Sequence, residues 1–396
     1  MRIAIFSDNF DPEMSGITDS ITTLGIELAR RGHFVQYYAP RYSPHDYNIV
    51  GRQIKEINFG ERISIIRLPS IPYPTPTQQG RLAIPSGLAS LKLRKFNPDV
   101  IHSQLFFGTG LEGLLDAKIL RKPFIGTNHT AIKEFMRYGP IHSEWAITKM
   151  LHYVNWYYRQ GVITTAPSHS VTDEMKAYGF TGDCRVISNP IDTEIFKPLT
   201  GTNTIKEKFS VSERAVIHAG RQAPERSIGV ILKAMPLIIK KFPDAELLLA
   251  GKGVAQNNLR KQAASLGIAD KVKFLGFLDK PTLAEAYNAS KIFAITSTAD
   301  TQSMVMMQAM ASGLPVIGVR ARALPEYIGE DRGIVIEPHD ERALANSIIK
   351  LFGNEEKRKA LGEGGRKFAM NFSVAPIVDE WEKIYETAVK TYSLKK

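Results

Sequence analysis

One cysteine, Cys184, is found in 396 residues. A lone thiol closes no intrachain disulfide and has no company for a metal site, so a reducing, cytoplasmic setting is expected. No run of about 20 apolar residues occurs, which argues against a membrane-spanning helix. The opening MRIAIFSD meets a charge too early for a signal-peptide core. Internal repeats and low-complexity tracts are missing too. Acidic residues run short: 51 Lys and Arg face 40 Asp and Glu, giving a formal charge of +11. That balance suits an anionic partner (membrane surface, nucleic acid or phosphorylated small molecule), and equally a merely solvated basic surface. No nucleic-acid reading element is recognisable, so that partner is disfavoured.

What is present fits two globular domains in length, with an ordinary 43% apolar and 23% charged content. RIAIFSD reads as a strand, NFDPEMSG as a loop, ITDSITTLGIELARRG as an amphipathic helix and FVQYYAP as a second strand. This is a Rossmann-like opening, but its loop offers only Ser15-Gly16, and neither half of the chain carries G-x-G-x-x-G, so a dinucleotide oxidoreductase is disfavoured. Gly16 before a helix allows close approach of a phosphate, and also fits a plain turn. Residues 41–85 are less regular, and the proline-rich part from Leu68 to Pro85 reads as extended loop.

Strand and helix alternation then resumes, with His102 and His129 at strand ends, where parallel α/β sheets bind ligands and where histidines also serve as structural hydrogen-bonders. LKLRKF (Leu91 to Phe96) and the segment Ala131 to Gly161 mix basic residues with apolar ones. The latter interleaves Lys133, Arg137, Lys149 and Arg159 with Trp145, Trp156, Tyr157 and Tyr158, a pattern shared by membrane-interface surfaces and docked helices. Periodicity fades between Ile191 and Ser210, the best linker, and a second α/β series follows. The expected division is 1–196 and 197–374, with a final helix near 375–396 whose stripe of Ile377, Trp381, Ile384, Tyr385 and Ala388 needs a docking surface.

The stretch Lys291 to Val319 organises the second half. IFAIT is a buried-type strand, Met304 to Ala311 a helix, Gly313 its terminator and Pro315 a block to continuation. Asp300-Thr301-Gln302-Ser303 places small polar residues at a helix start after a strand, where free amides and the helix dipole attract an anion. An ordinary cap fits these four residues equally well. Arg221 and Arg226 lie near another strand end and helix start, placed to clamp a diphosphate bidentately or to stay solvated.

In order and spacing, these pieces resemble the family-4 retaining glycosyltransferases of the GT-B fold over nearly the whole chain. The carrying residues are the Gly16 loop, PDVIH (Pro98 to His102), TNHT ending at His129 and its neighbour, and VISNPIDTEIF (Val186 to Phe196). GRQAPER (Gly220 to Arg226), LLLAGKG (Leu247 to Gly253), FLGFL (Phe274 to Leu278) and the Lys291 stretch complete the set. The resemblance implies two doubly wound parallel-sheet domains facing a cleft, with the last helix crossing back to the first. It implies an acceptor on the first domain and a nucleotide sugar on the second, with UDP ahead of GDP. Arg221, Arg226, the amides of Ser303 and Met304 and the Gly16 loop would hold the diphosphate, and His129 would touch the transferred hexose. Phe277 would border the base, Asp300 would bind sugar hydroxyls, and Gly253, Thr301, Gln302 and Gln308 would complete the donor site. Asn9, Phe10, Asp11 and Tyr138 are placed on the acceptor side. Neither a metal ion nor another cofactor is implied, the leaving phosphate taking the acceptor proton on the same face.

Two positions depart from the family pattern. Its paired glutamates are here Asp300 and Gln308, and its usual glycine is Ser303. A shorter carboxylate suits a different sugar, and a neutral amide at the ribose position weakens the nucleotide's hold, because charge-assisted bonds are about twice as strong as neutral ones. The Leu68 to Pro85 loop and the basic-aromatic segment resemble the lipid-acceptor branch, diacylglycerol glucosyltransferases and phosphatidylinositol mannosyltransferases among them. A soluble acceptor and a non-catalytic sugar-nucleotide-binding relative stay open.

Overall fold

The computed structural model describes residues 1–13, 15–51, 53–73, 79–87, 89–138 and 143–394, the side chains of Phe135, Arg137 and Tyr138 excepted. Its strands in chain order are β1 (Arg2–Phe6), β2 (Phe34–Pro40), β3 (Ile63–Leu68), β4 (Ser70–Pro72), β5 (Arg81–Ala83), β6 (Val100–Ser103), β7 (Phe124–Thr127) and β8 (Ile163–Ala166). They continue as β9 (Cys184–Val186), β10 (Ala215–Ala219), β11 (Glu246–Ala250), β12 (Val272–Gly276), β13 (Ile292–Ile295), β14 (Val316–Val319) and β15 (Gly333–Ile336). The chain forms two units, one of Met1–Pro190 with Val374–Lys396 and one of Ile191–Ser373. Ile191 and Phe196 are buried in the core of the second, which draws its start ahead of the division expected at 196 and 197.

The first unit holds a parallel sheet in the order β3-β2-β1-β6-β7-β8-β9. Its central strands are buried along their length, as in sheets covered by helices on both faces, and bury polar His102, Ser103, Thr127, Thr164 and Thr165 among their apolar residues. Phe6 on β1 stacks on Tyr38 of β2 with ring centroids 4.3 Å apart. The edge strand β3 and the short helix Pro44–Ile49 lie in the stretch expected to be irregular, because ISIIRL is half exposed and its alternation is weak. The proline-rich loop supplies β4 and β5, a small antiparallel hairpin.

The helix Val374–Leu394 belongs to this unit and buries Ile377, Val378, Trp381, Ile384, Tyr385 and Ala388. It packs against the helix Gly16–Arg30 and β6. Arg31, just past that first helix, bonds Asp379 at 2.5 Å and Glu382 at 2.7 Å, which fixes the docking direction.

The second unit carries a parallel sheet in the order β12-β11-β10-β13-β14-β15. In each unit the strand order reverses at one place, between β1 and β6 and between β10 and β13. The loops leaving adjacent strands there diverge and open a binding crevice at the carboxyl ends. Every candidate residue of the second unit lies at or beyond a carboxyl strand end.

Candidate active site

In the second unit, the loop after β10 carries Gly220 to Ser227 and the loop after β13 carries Thr296 to Ser303. Thr296 ties them, its hydroxyl donating to the carbonyl oxygens of Arg226 and Ser227 at 3.2 and 3.0 Å. Ser303 caps the helix Met304–Ala311 by accepting the Met306 amide. The amides of Met304 and Val305 have no intrahelical acceptor at such a start, and they face a site at the positive end of the helix. A Cβ on Gly220 would lie 3.9 Å from Val305, so the arginine-bearing loop abuts this helix start.

Arg226 bonds Asp300 through Nη1 and Oδ1 at 2.5 Å, with the carboxylate side chain 7% exposed. Burial raises the Asp300 carboxyl, but the Arg226 charge and hydrogen bond outweigh it and hold the pKa below the ordinary value. The aspartate expected at sugar hydroxyls therefore first neutralises the arginine expected at phosphate. Arg221 turns to Glu225, Nη2 lying 2.8 Å from Oε1. His218, inside β10, donates from Nδ1 to the Ala294 carbonyl oxygen at 2.9 Å, and burial lowers its pKa to about 4. Gln222 donates to the Gly251 carbonyl oxygen at 2.9 Å.

The cluster is under-satisfied. Among the described residues His218 Nε2, Arg221 Nε, Gln222 Oε1, Arg226 Nε and Asp300 Oδ2 are buried without a hydrogen-bond partner. Buried polar atoms are rarely left so, and five at one pair of strand ends ask for a polar ligand.

Gly253 has a second reason to be glycine: a Cβ there would lie 2.2 Å from the Gln222 carbonyl oxygen, so packing alone requires it. Phe277 follows β12 and is 47% exposed, an open aromatic face. Gln302 and Gln308 are buried and Thr301 is half-buried, beside the helix start that carries them.

The first unit presents the helix start at Ser15-Gly16, where Ser15 Oγ accepts the Thr18 amide at 3.1 Å. Half-buried His129 follows β7, with Nε2 2.8 Å from Gln104 Oε1, and burial lowers its pKa to about 4. His102 is fully buried, its pKa lowered to about 3 by burial and then by His129, and it bonds Tyr385 and Thr127. It is thus an interior hydrogen-bonder. Of the residues expected on the acceptor side, Phe10 is core instead: its ring sits 4.8 Å from that of Tyr37, because the loop tucks this large apolar side chain inward. Asp11 is buried with its carbonyl oxygen accepting from Arg67 Nη2 at 2.7 Å, while Asn9 stays half-buried. The Tyr138 side chain lies outside the described residues. Within the basic-aromatic segment Tyr157 and Tyr158 are core, whereas Trp145 and Trp156 are 72% and 49% exposed.

Sequence reasoning passed over His218, Gln222, Glu225 and Gln104. Their signal was position alone, in or just beyond β10 and β6, where a parallel sheet meets its ligand.

Residues 14–195 match Glycosyltransferase Family 4, and residues 202–368 match Glycosyl transferases group 1. An alpha-monoglucosyldiacylglycerol synthase of Streptococcus pneumoniae is 31% identical, across 88% of this chain and 78% of its own. A D-inositol 3-phosphate glycosyltransferase of Corynebacterium glutamicum is 26% identical across 98% and 97%. Among solved structures, Anabaena HepE in complex with UDP superposes with a TM-score of 0.77 at 18% identity, covering 98% of this chain and 100% of that one. The fold is therefore GT-B, and the chain belongs to the family-4 glycosyltransferases, with glycolipid synthases among its relatives.

Proposed function

We propose that this glycosyltransferase moves a hexose, with retention of configuration, from a UDP-sugar to a diacylglycerol-type lipid at a membrane face. The observation that carries the donor half is the set of buried atoms without a hydrogen-bond partner on His218, Arg221, Gln222, Arg226 and Asp300, beside the Ser303 helix start. Two guanidiniums and a helix start suit a diphosphate, which needs planar donors and positive potential. As the sugar leaves, charge grows on that diphosphate, and the same groups stabilise it without a metal ion. Arg226 exchanges Asp300 for phosphate, which releases the carboxylate to a sugar hydroxyl. The anomeric carbon keeps its configuration because the phosphate oxygen leaving one face takes the acceptor's proton on that face.

The acceptor half draws support from the pneumococcal synthase and from the exposed Trp145 and Trp156, beside which Lys149 lies 5.8 Å from the Trp145 ring. Aromatic and basic side chains together suit an anionic interface. The test is transfer from UDP-glucose to diacylglycerol in anionic vesicles, in the presence of EDTA. Labelled glycolipid with an α linkage is the expected product. Labelled inositol phosphate from a parallel soluble reaction, with none in lipid, would move the acceptor to the class named by the corynebacterial relative. Absence of both transfer and donor hydrolysis would leave a binding protein.

A further inference from the structure

The first unit contains a hydrogen-bonded chain that leads from the last helix to His129. It starts on the last helix, where Tyr385 OH lies 2.9 Å from His102 Nδ1. The Trp381 ring covers the same imidazole, with centroids 4.6 Å apart. His102 Nε2 reaches Thr127 Oγ1 at 2.7 Å, and Thr127 reaches Thr165 Oγ1 at 2.7 Å. Gln104, two residues beyond His102, sets its amide nitrogen 3.2 and 3.1 Å from the two ring nitrogens. Its carbonyl oxygen then points to His129 Nε2 at 2.8 Å. Gln104, His102, Thr127 and Thr165 are all buried, and half-buried His129 is the chain's outer end.

The chemistry of each atom sets a direction. A glutamine Oε1 only accepts, so the bond to His129 requires a hydrogen on Nε2. Its Nε2 only donates, which turns that end toward the neutral ring of His102. His102 cannot rotate, held by Tyr385 on one side, Thr127 on the other and Trp381 against its face. The amide of Gln104 is therefore locked in one orientation, and with it the tautomer and ring angle of His129.

We infer that Gln104 is a positioning residue, which fixes His129 as the neutral Nε2–H tautomer and couples its orientation through His102 to Tyr385 of the C-terminal helix. This rests on the role given to His129 at the transferred sugar. His102, the titratable group linked to His129 through Gln104, is itself neutral across the working range.

The test pairs imidazole nitrogen NMR with kinetics for the full chain and its Gln104→Glu and Gln104→Leu variants. In the unaltered protein the expected His129 spectrum is that of an Nε2–H ring, with no titration between pH 5 and 8. Gln104→Glu keeps the shape but puts a carboxylate beside Nε2, and His129 should then titrate at least about 1 unit higher. A new inflection should enter the pH profile of transfer. Gln104→Leu should mix the tautomers and lower kcat about 10- to 100-fold with donor KM held, the size expected of a misplaced group. An Nδ1–H ring in the unaltered protein, or no change of titration in Gln104→Glu, overturns the inference while leaving His129 its role. The expected spectra with kcat untouched in both variants would instead remove His129 from transfer, and the inference with it. Gln104→Glu, being isosteric, serves where Gln104→Leu fails to fold.

Discussion

Under the proposed function the Arg226–Asp300 pair serves two states. In the unliganded unit the carboxylate neutralises a half-buried guanidinium, and each keeps one further atom without a partner. Removing one member of a buried pair strands the other, at a typical cost of about 3–5 kcal/mol. Asp300→Ala should therefore lower the melting temperature of the free protein. The released Arg226 should also bind UDP more tightly, while transfer falls for want of a sugar contact. Calorimetry with UDP and a transfer assay on the same sample separate the two effects, and unchanged UDP affinity would mean that Asp300 and phosphate do not compete. Gln308→Glu should tighten UDP by about tenfold if the side chain meets the ribose, since a charge-assisted bond gains about 1.5 kcal/mol over a neutral one. Residue identities of this kind were legible in the sequence, because strand ends and a helix start announce themselves. The pairing of Arg226 with Asp300 across 74 positions was not, since no local pattern encodes it.

At the scale of elements, most strands and helices followed from apolar runs closed by glycine or proline. The edge strand β3 escaped notice because a half-exposed strand lacks a continuous apolar run. The last helix declared its stripe, and its docking on β6 and the Gly16–Arg30 helix gives that stripe its partner. Trp381 sits at the middle of this seam against His102. Trp381→Ala should cost about 3–5 kcal/mol, a usual figure for emptying an aromatic site. The loss belongs to the first unit, so hydrogen exchange should quicken in β1, β6 and β7 and leave β10 to β15 as they were. Uniform quickening across both units would contradict a seam confined to the first.

The two units should answer acid differently. A histidine held neutral below its unfolded pKa gains protons on unfolding, so the stability it permits is present near neutral pH and falls as pH drops through about 6.5 toward the folded value. In the second unit His218, at about 4, acts in that direction, while Asp300, held below its ordinary value, adds its loss only at lower pH. In the first unit His102 and His129 do the same, but buried Asp8 and Asp116 oppose them. Each carboxyl is raised to about 6, by burial first, so acidification from there favours the folded form. Hydrogen exchange at pH 7 and pH 5 should therefore show the larger loss of protection in β10 to β15.

Donor binding as proposed requires the polar cluster of the second unit to grip a diphosphate. Isothermal titration of the intact protein with UDP and with uridine, repeated on Arg226→Ala, measures it most directly. One-site UDP binding is predicted, with uridine at least about tenfold weaker and Arg226→Ala losing a similar factor, each charge-assisted bond being worth about 1.5–3 kcal/mol. Equal affinity for uridine and UDP, or UDP affinity indifferent to Arg226→Ala, would contradict it.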